Sequence, residues 1–188
     1  MTSLVDLPCT LLYFLHKQSI LLNTYIIINP QLKLVDKLTI QRILVAVDGS
    51  KPSLNASSQA IDIAKRLDAE LIAIYVISPD IRYNYLEDTI TPRLPRALKN
   101  VMIVATQRGE THVDKVKQKA KEKGVKVKTD VIMGISSVVK EIVEYAEKNK
   151  VDMIVVGSRG LSGIKKMLVG SVAGGVVTYA HCPVLVAK

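Results

Sequence analysis

In the stretch VDMIVVGSRGLSGIKKMLVGSV, residues 151–172, an apolar run is followed by Gly157, Gly160, Gly163 and Gly170, the last adjoining Ser171. Glycine permits tight turns and close approach of backbone to a ligand, at an entropic cost on folding. Backbone N–H groups exposed in this way, a serine hydroxyl and the start of a helix are the groups that hold phosphate. The same residues serve an ordinary crossover turn, and Ser171 serves equally as a helix cap. A carboxylate elsewhere, Asp48 in RILVAVDGS, can accept hydroxyl hydrogens or simply turn the chain.

Two well-known phosphate motifs are excluded. The loop is not G-x-x-x-x-G-K-[ST], because Gly170-Ser171 has no motif ending in lysine before it. Nor is it a dinucleotide fingerprint, since it follows the fourth strand of the pattern and does not open a G-x-G-x-x-G unit. Direct sequence support for fast phosphoryl transfer and hydride chemistry is therefore missing, and no catalytic residue is assigned. His16, His112 and His181 are scattered without metal-ligand spacing. Cys9 and Cys182 lie far apart, which points to a reducing compartment and not to a disulfide framework.

The elements that would position these groups are regular from residue 42 onward. RILVAVDGS reads as a strand ending in a turn, and Ser50 with Pro52 opens a helix whose Ala60, Ala64 and Leu67 form one apolar stripe. LIAIYVI, residues 71–77, does not alternate and predicts a strand buried on both faces. Pro79, Pro92 and Pro95 argue against one continuous helix over 78–111. A helix is expected over about 98–123, with Val113, Val116 and Ala120 inward and Gly124 at its end. VKVKTDVIM then gives a third strand, and SSVVKEIVEYAEKNK a helix with Val139, Ile142, Val143 and Ala146 inside. A fourth strand at 152–156, the glycine loop, a helix near 171–181 and the strand PVLVAK complete the pattern. Strands separated by crossover helices predict an α/β fold, a three-layer sandwich around a five-stranded parallel sheet. Such sheets take ligands beyond the carboxyl ends of their strands, where strand order reverses.

Residues 1–40 differ from the rest and read as an atypical leader, disordered or appended, with a packed accessory element as the alternative. The segment is oily, but His16, Lys17, Gln18 and Asn23 interrupt it before it reaches the roughly 20 residues of a spanning helix. It lacks the basic start of a secretory signal, so membrane attachment is not the favoured reading. At 188 residues the chain is long enough for one domain, and residues 41–188 make it. A net charge of +9 admits acidic partners or nucleic acid, whereas one Phe and no Trp give little stacking platform for single strands. Lys115, Lys117, Lys119, Lys121, Lys123, Lys126 and Lys128 form the richest basic run, but they alternate around a helix and into a strand. A solvated surface is the favoured reading of that run.

Gly157-x2-Gly160-x9-Gly170-Ser171, together with ILVAVDGS, LIAIYVI and HCPVLVAK in order, resembles the universal stress protein family, in its ATP-binding branch. The resemblance covers roughly residues 41–188 and implies an adenine nucleotide alpha hydrolase-like sheet of order 3-2-1-4-5. It implies ATP as ligand, with Mg2+ or Mn2+ as companion ion and no metal site of the protein's own. Asp48 would bind the ribose, while Ala46, Val47 and Val76 border adenine. Val156 would continue the wall, Gly157 and Gly160 approach the phosphates, and Gly170, Ser171 and Val172 complete their surface. It further implies a cytoplasmic stress-response regulator, a homodimer paired through Pro183 to Lys188, and a protein partner that no residue identifies. The alternatives are a weak magnesium-dependent ATPase, with Asp48 the obvious acidic candidate, and a basic nucleic-acid-binding protein.

Overall fold

The structure, a computed structural model, describes residues 24–27, 40–78, 96–161 and 169–188. Gly163, Pro79, Pro92, Pro95, Cys9 and most of the leader lie outside the described residues. In chain order the elements are β1 (Thr24–Ile27), β2 (Arg42–Ala46), α1 (Lys51–Leu67), β3 (Glu70–Ile77), α2 (Arg96–Glu122) and β4 (Val127–Met133). They continue with α3 (Val138–Lys148), β5 (Met153–Gly157), α4 (Ser171–Tyr179) and β6 (Val184–Ala187).

Five strands, β2 to β6, form a parallel sheet in the spatial order β6-β5-β2-β3-β4. Numbered among themselves, these are strands 3-2-1-4-5, flanked by helices. Period-two alternation along β2 divides the core between two faces. Ile43 and Val45 pack with Ala56, Ala60 and Ala64 of α1 and Val113 and Val116 of α2. Leu44 packs on the other face with Ile142 and Ala146 of α3 and Val176 of α4. Each fully buried Ile or Leu contributes about 1.5–3 kcal/mol relative to exposure. Alanines along α1 let that helix lie close to the sheet.

Local chemistry sets the helix ends. The Ser50 side chain accepts from the Ser53 N–H at 3.3 Å, and Asp68 closes α1 in the left-handed conformation at φ 52°. Leu67 falls outside the expected stripe: it is the last residue of α1 and is 48% exposed. Gly124, at φ +72°, ends α2 as its position predicts. Ser137 caps α3 by accepting from the Lys140 N–H. Gly174 and Gly175, both unfavourable in a helix, differ in their surroundings. A Cβ on Gly175 would lie 2.7 Å from Val139 Cγ2, so its absence lets α4 lie against α3. A Cβ on Gly174 would meet nothing within 4 Å among the described residues.

One feature departs from the expected edge of the sheet. The final strand is flanked on both sides, by β5 and by β1 of the leader, which runs antiparallel to it. Among the described residues, no helix is long and apolar enough to cross a membrane. Cys182 is buried beneath this end of the sheet, and burial with the nearby Asp152 carboxylate pushes its thiol up to about 12. It stays protonated and unreactive at neutral pH.

Candidate functional site

Strand order reverses between β2, which continues to β3 on one side, and β5 on the other. A crevice of about 400 Å³ opens beyond the carboxyl ends of these strands. Ala46 ends β2, and the Val47 N–H extends the pairing by donating to the Ile74 carbonyl at 2.9 Å. Asp48 follows, at the lip. All ten residues singled out from the sequence line this crevice: Ala46, Val47, Asp48, Val76, Val156, Gly157, Gly160, Gly170, Ser171 and Val172. They come from three separate parts of the chain.

Asp48 is held by its own turn. Its Oδ1 accepts from the Ser50 N–H at 2.9 Å, and its N–H donates to Ser53 Oγ at 3.3 Å. Ser53 Oγ donates to the Ser50 carbonyl, and Ser50 Oγ reaches the Arg159 carbonyl at 3.4 Å. The acid turn, the start of α1 and the loop after β5 are thereby joined. Asp48 Oδ2 lies on the Gly160 side: a Cβ there would stand 2.9 Å from it.

The loop itself is closed at its base, where the Gly170 N–H donates to the Ser158 carbonyl at 2.7 Å. Gly157 permits close approach of a different kind, since its Cβ would meet Pro52 C and Ser53 N at 2.8 Å. Gly170 has an ordinary φ of −71° and serves as N-cap without a side-chain cap bond. Among the described glycines, only Gly49 and Gly124 have positive φ. Close approach, and not an unusual dihedral, is the reason for glycine at 157 and 160. Ser171 is the first residue of α4 and not its cap. The first N–H groups of an uncapped helix lack internal acceptors, so those of Ser171, Val172 and Ala173 stand at the crevice with the positive end of the helix dipole.

Tyr75 of β3 and Arg108 of α2, which no sequence pattern marks, also line the crevice, and Arg159 and Leu161 join from the loop. Gly109 brings α2 close to β3, as a Cβ there would lie 2.8 Å from Tyr75 Cδ1. The His112 ring stacks on Tyr75 with centroids 5.8 Å apart and packs against Gly49. Burial, with Lys115 and Arg108 adding like charge, holds His112 below its ordinary pKa, against the opposing pull of Asp48. Helical periodicity gave α2 an inward face, but nothing in it marked Arg108 as reaching a site built sixty residues away.

Three lysines at the end of the basic run are paired. Lys123 pairs with Asp62, and Lys126 and Lys128 pair with Glu70 at 3.8 and 3.1 Å. Among the described residues, no group of three or more His, Cys, Asp or Glu is placed to hold a metal ion.

Comparison with known proteins adds to this geometry. Residues 39–188 match the universal stress protein family. The chain is 40% identical over 148 residues to universal stress protein MJ0531 of Methanocaldococcus jannaschii, covering 79% of this chain and 82% of that protein. The solved structure of universal stress protein UspA from Lactobacillus plantarum superposes with a TM-score of 0.68 at 28% identity, over 79% of this chain and 98% of that one. A universal stress protein in complex with cAMP superposes with a TM-score of 0.50 at 29% identity, over 79% of this chain and 97% of that one.

Proposed function

This chain belongs to the universal stress protein family, and from that membership and the crevice at its switch point we propose that it binds ATP and acts as a nucleotide-dependent regulator. Adenine lies against Val76 and the backbone of Ala46 and Val47, and Asp48 Oδ2 accepts from the ribose hydroxyls. Val156 continues the wall toward the phosphates, which Gly157, Gly160, Gly170, Ser171 and Val172 receive. The observation that carries this reading is the meeting of a carboxylate, an apolar base-sized wall and an uncapped helix N-terminus on one crevice.

A divalent ion, Mg2+ or Mn2+, fits here only as a companion of the triphosphate. Among the described residues, Asp48 is the one carboxylate lining the crevice, and Mg2+ commonly takes phosphate oxygens and water as its remaining ligands. Occupancy acts on function by favouring one state of a partner surface or of a homodimer formed through Pro183 to Lys188. The setting is the cytoplasmic stress response.

Calorimetric titration with ATP and cAMP tests this reading. ATP should bind the tighter of the two, because its longer phosphate chain reaches both the glycine loop and the first turn of α4. Ser171→Ala should weaken ATP about two- to tenfold, the equivalent of one lost hydrogen bond of about 0.5–1.5 kcal/mol. Tighter cAMP binding, or an unaffected Ser171→Ala variant, would replace the triphosphate assignment.

A further inference from the structure

β6 is a short apolar strand, Val184 to Ala187, whose four residues are at most 2% exposed. An uncovered strand of this kind offers unpaired N–H and C=O groups to any strand that can reach it. In this chain the edge is filled from within: Thr24, Tyr25, Ile26 and Ile27 of β1 pair antiparallel with Ala187, Val186, Leu185 and Val184. β1 lies outside residues 39–188, the part that matches the family. The strand on this edge is therefore an addition to the family domain.

We infer that β1 is a built-in competitor for the β6 edge, and that a second copy of this chain can pair there only when β1 leaves. The inference rests on the dimer reading above and adds what controls it. Two β6 strands related by a two-fold axis perpendicular to the sheet run antiparallel and exchange the same bonds. β1 already runs antiparallel to β6, so it uses the backbone groups that a second β6 would use. The two pairings exclude each other.

The tether decides the monomer's preference. Residues 28–41 join β1 to β2, and a short linker holds its segment at an effective concentration in the millimolar range. A second copy at micromolar concentration competes poorly against that. Yet β1 is only four residues long and meets the other elements chiefly through β6, which places it among the easily opened parts of the fold. Dimerisation is weakened by the fraction of molecules whose edge is closed, and whatever releases β1 promotes it.

Sedimentation of the full chain and of a Tyr25→Pro/Ile26→Pro variant tests this. Neighbouring N–H groups along a strand point to opposite sides, so one of the two lost donors must face β6. The wild type should sediment as a 20.6 kDa monomer at tens of micromolar. The variant should dimerise with a dissociation constant at least about tenfold lower. Equal constants would overturn the inference, as would a wild type already fully dimeric at that concentration. Hydrogen exchange on the wild type supplies an arm that does not depend on the variant's folding. As concentration is raised to form dimer, amides at 24–27 should lose protection while those at 184–187 keep theirs. A dimer in which 24–27 remain protected would show assembly elsewhere, or exchange of β1 between copies, and either would overturn the competition.

Discussion

Gly160→Val should lower ATP affinity by at least about tenfold, a loss of about 1.4 kcal/mol, while leaving thermal stability close to that of the wild type. Gly160 is exposed, and among the described residues the one atom near a Cβ built on it is Asp48 Oδ2 at 2.9 Å. Oδ1 of the same carboxylate is held by the Ser50 N–H, so the side chain cannot swing freely to make room. Either the carboxylate turns away from the ribose or the loop lifts from the phosphates. Both outcomes weaken binding without removing any core contact. Calorimetry with a melting curve on the same sample separates the two quantities. Unchanged affinity would take Gly160 out of the site.

Gly157→Ala should do the reverse and lower stability first. Its Cβ would stand 2.8 Å from Pro52 C and Ser53 N, which are backbone atoms in the first turn of α1 and cannot rotate aside. Forcing a methyl group into such a place costs about 1–3 kcal/mol, and a domain of this size loses about 2–4 °C of melting temperature for each. Gly174→Ala is the internal control. A Cβ there meets nothing within 4 Å among the described residues, and replacing a helical glycine gains about 1 kcal/mol. Differential scanning calorimetry should therefore show Gly157→Ala melting below the wild type and Gly174→Ala above it. Equal melting temperatures would mean that α1 does not rest on β5 at this point.

The contrast between these glycines shows what the sequence could and could not disclose. Strand and helix order was legible because the periodicities are strong and punctuated: Ser50 and Ser137 start helices, and Gly124 ends one. Of the ten crevice residues, Asp48, Ser171 and the glycines stand out by type and spacing, whereas Ala46, Val47, Val76, Val156 and Val172 follow only from the family resemblance. Which physical need each glycine meets was not legible, since close approach and positive φ leave the same letter in the chain. Close approach proved to apply at 157 and 160, and neither at 170. Arg108 and His112 escaped notice because only the tertiary packing of α2 brings Arg108 to the crevice and sets His112 against Gly49 and Tyr75. β1 escaped for a related reason. Four residues of an oily segment carry no periodicity of their own, and their strand identity comes from β6.

The most direct test of the proposed site is an amide chemical-shift map recorded as ATP is added to the 20.6 kDa protein. The largest changes should fall at Val76, Asp48, Gly157, Gly160, Gly170, Ser171 and Val172, with smaller ones at Tyr75 and Arg108 on the facing wall. Changes concentrated instead along Lys115 to Lys128, with the loop after β5 unmoved, would contradict the account.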